Sequence, residues 1–378
     1  MMWNIFPQMH REMLSLCVLS VTKKQNNSLP EVIKTMSNLD SVIKDLNKKF
    51  KANLINEGVV YEKIPRIPFS SPRLNYMTYG GLPLGRIIEF AGEESGGKTT
   101  TALDIVANAQ KLIPDKRVAY IDIERTFDAE WATKLGVDVS SLILVSPEEQ
   151  TAEQVFEIAK AIVETGEISV CVLDSLAAMV SAQAYSKTIE DRTYGGISMA
   201  LTLFSKEMIP ICARTGCMLI GINQVRDDMN SMYGGTTTTG GRAWRHNCTT
   251  RMTFAKSDYI DDKGNSLSRS CENPAGHFVK VALVKSKVCK LDRKIGFYTL
   301  KYLDGIDAVS DVIDIAIKEG LILAAGAWYS IVDTETGELY QHEGKDLKFQ
   351  GKPKLKEFLL ANTDWLDEIK EQIFLKIS

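Results

Sequence analysis

The chain has no Cys-x-x-Cys pair, no clustered histidines, no long apolar run and no net positive charge. Its seven cysteines stand at 17, 171, 212, 217, 248, 271 and 289. That odd, scattered set argues against a disulfide framework or a zinc ribbon. Cys171, Cys212, Cys217 and Cys248 lie among apolar or small residues, so reduced, largely buried thiols in a cytoplasmic protein are expected. Four dispersed histidines leave no zinc site. No segment approaches the roughly 20 apolar residues that span a bilayer. Residues 13–21 are apolar but are followed by Lys23 and Lys24 without a cleavage site, which argues against a signal peptide. Residues 1–35 read as a leader, because Met36 opens a stretch resembling a natural start. A net charge of −3, from 45 basic and 48 acidic residues, means that any nucleic-acid contact comes from local patches. The densest patch, at 280–301, holds Lys280, Lys285, Lys287, Lys290, Arg293, Lys294 and Lys301 against the single acid Asp292; alone, such a run reads as a solvated face.

What is present is the composition of a globular protein, long enough at 378 residues for one large core and an accessory domain. Residues 39–50 carry helical periodicity, with Val42, Ile43, Leu46 and Phe50 on one face; so short a helix must pack on something. The Pro- and Gly-rich stretch 63–85 reads as irregular connection. Beyond it, strand-like runs at 87–91, 118–123, 142–145, 170–173 and 218–222 alternate with helical patterns at 99–112, 129–135, 151–164 and 199–215. That alternation predicts a wound α/β sheet. Runs at 252–255, 278–284 and 297–302 follow without helices, so the sheet should end in an antiparallel portion. Past 305 a smaller unit is predicted, helical at 309–319 and 353–376, with a hairpin turn at 333–338.

The strongest chemical signal is Gly92-Glu93-Glu94-Ser95-Gly96-Gly97-Lys98-Thr99, followed by Thr100. It fits G-x-x-x-x-G-K-[ST], directly after an apolar strand and before a helical run, the context this phosphate-binding motif requires. Its glycines let backbone N–H groups face phosphate oxygens, the helix N-terminus adds positive potential, Lys98 reaches the terminal phosphates and Thr99 can hold Mg²⁺. Asp174, ending the apolar run 170–173 just before Ser175, has the pattern of a Mg²⁺-binding carboxylate. Glu124, after the neighbouring strand, could orient an attacking water. Either acid alone would read as a strand-end turn residue or a surface acid.

In order and spacing, "GGLPLGRIIEFAGEESGGKTT" (80–100), "YIDIERTFDAEWATKLGVDV" (120–139), "LDSLAAMV" (173–180), "GINQVR" (221–226), "TTTGGRAWR" (237–245), "VALVKSKV" (281–288) and "GAWYS" (326–330) resemble the successive motifs of the bacterial RecA family, over about residues 38–378. The resemblance implies that Glu124 is the catalytic carboxylate, that Asp128 and Trp131 hold the adenine, and that Asp174 and Ser175 form the second nucleotide motif. It implies that Gln224 senses the γ-phosphate, and that Lys285 and Lys287 reach into a neighbouring protomer's ATP. Residues 183–196 and 225–240 match two DNA-binding loops, the second offering Arg226, Met229, Met232 and Tyr233, with Gly240, Gly241 and Arg242 beyond it. Without the resemblance, that second segment would read as a surface connection. The chain departs from the family pattern in its leader, in a diverged first loop with Ala200 in place of an arginine, in His246 where phenylalanine is usual, and in ending at Ser378 without an acidic tail.

The expected fold class is α/β: a RecA-type P-loop NTPase core with a mixed central sheet (65–304), a short N-terminal oligomerisation helix within 36–64 and a small C-terminal α/β domain (305–378). The expected function is that of an ATP- and Mg²⁺-dependent recombinase of DNA repair, forming helical filaments on single-stranded DNA and pairing it with duplex DNA. Single-strand-binding or loader proteins would be further partners, and no membrane is involved. The alternatives are a RecA-fold hexameric helicase, disfavoured by the blocks at 80–100 and 237–245, and a non-catalytic, ATP-gated DNA-binding scaffold, disfavoured by Lys98 and Glu124.

Overall fold

The structure, a computed structural model, describes residues 29–50, 63–186, 197–227, 236–268, 270–333, 336–342 and 344–377. The chain divides into two units, residues 1–63 and 64–378. In the first, helix α1 (Leu29–Phe50) begins inside the expected leader. Pro30 sits in its first turn, where a missing N–H costs nothing. The apolar face of α1 stays open within this unit, with Leu39, Val42 and Phe50 exposed.

The second unit corrects the reading of 63–85 as wholly irregular. Helix α2 (Pro72–Thr78) forms there, with Pro at its start and Leu74 and Met77 buried, and residues 66–67 pair with 82–83. Then the wound sheet begins. Strands β1 (Ile87–Gly92), β2 (Arg117–Asp122), β3 (Ile143–Val145), β4 (Ile168–Asp174) and β5 (Met218–Asp227) run parallel, in the spatial order β3-β2-β4-β5-β1. The short β6 (Thr236–Thr238) folds back antiparallel on β5. Beyond β1 come β7 (Thr250–Ile260), parallel to it, then the antiparallel β8 (Gly276–Ser286), β9 (Ile295–Lys301) and β10 (Gly305–Ile306). The longer helices of this part are α3 (Lys98–Leu112), α4 (Ala129–Lys134), α5 (Ala152–Glu164), α6 (Ile197–Thr215) and α7 (Gly241–Asn247).

The inner strands are apolar throughout because both faces are covered. Val118, Tyr120, Val170, Val172, Met218 and Ile220 enter one core, with α3. The intervening Ala119, Ile121, Cys171, Leu173 and Leu219 enter the other, with α5, α6 and Trp244 of α7. The period of two along each strand thus supplies both layers. Each fully buried aliphatic or aromatic side chain contributes about 1.5–3 kcal/mol. The four expected buried thiols are buried.

The C-terminal part has its own core around Val312, Leu355 and Ile373. It consists of α8 (Ala308–Lys318), the antiparallel strands β11 (Ile322–Ala325), β12 (Trp328–Ile331) and β13 (Lys348–Gln350), and helices α9 (Lys352–Ala361) and α10 (Thr363–Ile377). Around the expected turn, the Asp333 N–H donates to Glu338 O at 2.9 Å and the Gly337 N–H to Asp333 O at 2.8 Å. The single helix expected over 353–376 breaks at Asn362, whose side chain donates to Phe358 O at 2.9 Å and ends α9. Helix α8 joins α2 through Ser71 Oγ donating to Asp311 at 2.8 Å and Arg73 donating to Asp314 at 2.5 Å.

Candidate nucleotide site and adjoining loop

Parallel strands direct their C-terminal ends to one edge of the sheet, where a wound α/β fold binds ligands. The motif of residues 92–99 links β1 to α3 at that edge. Its glycines are needed sterically. A Cβ on Gly92 would stand 2.2 Å from Phe254 O, and one on Gly97, at φ +92°, would stand 2.6 Å from the Tyr298 hydroxyl. That buried hydroxyl also donates to Gly97 O at 3.2 Å and meets Thr101 Oγ1 at 2.9 Å, holding the loop from beneath. Lys98 Nζ donates to the carbonyls of Gly92 (3.0 Å) and Glu93 (2.5 Å), folding over its own loop. Burial pulls its ammonium pKa down, against the attraction of Asp174, Glu124, Glu94 and Glu93.

Asp174 lies at the end of β4. It accepts from Thr99 Oγ1 at 2.9 Å and from the Tyr120 hydroxyl at 2.6 Å. Burial raises its carboxyl pKa; these two hydrogen bonds lower it, while Glu124 and Asp122 add to the rise. A divalent cation would relieve this crowding of acids. Among the described residues no three His, Cys, Asp or Glu gather as a metal cage. The oxygen donors Thr99 Oγ1 and Asp174, 2.9 Å apart, fit Mg²⁺, which takes one or two protein oxygens and completes its shell with water and phosphate. Glu124 accepts a hydrogen bond from Ser175 Oγ, joining the two acidic strand ends. Gln224 of β5 pairs in register with Gly92, beside the loop's first residue.

A cavity of about 230 Å³ adjoins the loop, lined by Ser95 to Thr100, His277, Leu300 and Tyr302. Asp128 and Trp131 lie outside this lining. Asp128 instead caps α4, accepting from the Trp131 N–H at 2.9 Å, and Trp131 packs partly buried on the core. The sequence reading missed His277, Leu300, Tyr302 and Tyr120. His277 Nδ1 lies 3.0 Å from the Tyr302 hydroxyl, while its Nε2 is buried without a partner among the described residues. Burial, with Lys256 adding to it, depresses the His277 pKa to about 4.

The reading also missed Glu89. This residue is wholly buried in β1 and accepts from Trp244 Nε1 at 2.8 Å, Asn223 Nδ2 at 2.9 Å and Arg251. The available signal was an acid inside the apolar run "RIIEFAG", a placement tolerated only with full hydrogen bonding.

Of the expected DNA-contacting residues, Arg226 is exposed on β5, and Gly240, Gly241 and Arg242 open α7. Residues 225–227 of β5 and Thr236–Thr238 of β6 pair as an antiparallel ribbon at the base of the expected loop, Val225 facing Thr238. Met229, Met232 and Tyr233 lie outside the described residues, as does most of 183–196. Lys285 Nζ donates to Arg245 O and His246 O, each at 2.7 Å, whereas Lys287 is exposed. The basic patch is partly committed within the fold. Arg293 stacks on Tyr76 and Tyr79, and Lys301 pairs with Asp307 at 3.8 Å.

A phosphate loop at the end of a central strand, flanked by two carboxylate-bearing strand ends in a mixed sheet, defines a P-loop NTPase with a RecA-type core. Residues 37–307 match the RecA N-terminal domain and residues 310–378 the RecA C-terminal domain. Protein RecA of Chloroherpeton thalassium is 31% identical over 344 residues, covering 89% of each chain. Protein RecA of Clostridioides difficile is 35% identical over 295 residues, 78% of each chain, and that of Ruminococcus albus is 34% identical over 312 residues, 82% of this chain and 72% of its own. The chain belongs to the RecA family of ATP-dependent recombinases, DNA-dependent ATPases that use Mg²⁺ and assemble as filaments on DNA.

Proposed function

We propose that one ATP is held between residues 92–100 of one protomer and Lys285 and Lys287 of the next, and that hydrolysis at this boundary gates the grip of loop 225–240 on single-stranded DNA. The observation that carries this reading is the convergence of Lys98, Thr99, Asp174, Glu124 and Gln224 at the ends of β1, β2, β4 and β5. Lys98 leaves its two carbonyls to hold terminal phosphate oxygens. Glu124, oriented by Ser175, aligns the attacking water. Thr99 and Asp174 hold Mg²⁺, which supplies charge neutralisation on the phosphates. Gln224, next to Gly92, reports the γ-phosphate to β5 and its ribbon. Asp128 and Trp131 close on the adenine. Arg226 takes a phosphate, and Met229, with Met232 and Tyr233 as competing candidates, supplies an apolar wedge in the base stack.

The open apolar face of α1 supports packing on a neighbouring copy, and residues 305–378 are read as a separate C-terminal domain. Among the described residues no helix is long and apolar enough to cross a membrane. Buried reduced thiols support a cytoplasmic setting. Single-strand-binding or loader proteins are the further partners this role calls for. Electron microscopy with a slowly hydrolysed ATP analogue and single-stranded DNA tests the assembly. Extended helical filaments are expected; closed rings would point to a helicase.

A further inference from the structure

Helix α7 is held at both ends and in the middle. The Trp244 indole is fully buried in a slot that only glycines leave open. A Cβ on Gly221 of β5 would stand 2.7 Å from Trp244 Cζ2, and one on Gly240 would stand 2.4 Å from Leu201. Trp244 Nε1 donates to Glu89 Oε1 at 2.8 Å. The same oxygen accepts from Asn223 Nδ2 at 2.9 Å, and that amide also donates to Thr239 O at 2.8 Å, on the returning stem of the loop. Asn223 Oδ1 accepts from the Gln224 N–H at 3.0 Å. One buried carboxylate in the strand that carries the phosphate loop thus binds one stem of the adjoining loop and the helix after it directly, and reaches the other stem through Asn223. At the other end of α7, Lys285 sits on two terminal carbonyls, and Asn247 donates to Ser205 Oγ at 2.8 Å.

A fully satisfied buried network resists losing one member, because the partners left behind are stranded without water. The elements it joins therefore move together. Coupling between sites also needs an element with two arrangements. Lys285 supplies the second: a lysine that leaves α7 for a neighbour's phosphate removes the cation from that helix's negative end. We infer that Trp244, acting through Glu89 and Asn223, is a positioning residue that couples nucleotide at the phosphate loop to the stems of the DNA loop, with α7 as the link. The inference rests on the reading of 225–240 as that loop.

Trp244→Phe removes the N–H and keeps an aromatic ring in the slot. The measurement is the ratio of single-stranded DNA dissociation constants with ADP and with ATPγS, alongside ATPγS affinity without DNA and the melting temperature. The wild-type protein is expected to show a ratio in the range of about 5–150 typical of coupled sites. In the variant the ratio should collapse toward one, with DNA-free nucleotide affinity and melting temperature close to wild type. A variant ratio equal to wild type overturns the coupling role, as does a parallel loss of every activity and of stability. Should Trp244→Phe fail to fold, benzothienylalanine at 244 keeps the ring size, exchanges the N–H for sulfur and is read the same way. A wild-type ratio near one instead sinks the DNA-loop reading itself.

Discussion

Single side chains at the nucleotide site separate binding from chemistry. Lys98→Ala should lose ATP, since no other described cation donates into that loop. Glu124→Gln should still accept the Ser175 hydrogen bond and bind ATP, yet turn over about 10²–10⁴-fold more slowly, the usual worth of a positioned acid–base group. Single-turnover hydrolysis beside fluorescent-nucleotide titration checks both, and unchanged turnover in Glu124→Gln removes it from the catalytic role. Lys98 was legible because the spacing of its loop is dictated by phosphate geometry, whereas the role expected of Glu124 came from the family resemblance. Glu89, His277 and Tyr302 were not legible, because their importance arises from strands far apart in sequence. Glu89 meets Trp244 across 155 positions.

Among elements, strand and helix placement followed closely from the alternating texture. What escaped was structure set by tertiary contacts. Helix α2 is short and rich in turn formers nearby, and it persists through burial of Leu74 and Met77 and the clasp of Ser71 and Arg73 on α8. That clasp is pH-sensitive. Burial raises the Asp311 pKa from 3.8 to about 7, although Arg73 and the Ser71 hydroxyl lower it, while Asp314 and Asp307 oppose its ionisation. The folded state therefore holds a proton that the unfolded chain has released. This group favours folding at low pH, and its contribution is lost as pH rises from about 4 to about 7. Asp311→Asn cannot titrate, so its melting temperature minus that of wild type should grow more positive across this window. A flat difference would show that Asp311 ionises freely in the fold.

For the whole molecule, the reading requires an active site split between copies. Lys287 is exposed in the single chain, free to reach outward. Lys287→Ala should keep ATP binding in the protomer and lose DNA-stimulated turnover by about 10³–10⁵-fold, the range for cations that neutralise transferring phosphates. Mixing Lys287→Ala with Glu124→Gln gives the decisive assay. Each should turn over slowly alone, yet a mixed filament contains boundaries with an intact carboxylate on one side and an intact lysine on the other. Recovered ATPase places the two groups on different protomers, whereas none in verified mixed filaments places them on one. The sequence alone could carry this idea only through family resemblance, because nothing in one chain's pattern shows what a second copy presents. Among the described residues of α1, Leu39, Val42 and Phe50 are exposed, which is all that one chain shows of that face.

Strand β1 is buried along its whole length and is bonded on one side by β5 and on the other by β7. Its amides can therefore trade hydrogen for deuterium only when the centre of the sheet opens, so they should be among the last to exchange. The phosphate loop hangs from a stretch of backbone expected to open rarely. Nucleotide arrival should thus slow deuterium uptake in residues 93–100 while leaving uptake in 87–91 unchanged, the pattern of a sensor mounted on a fixed post.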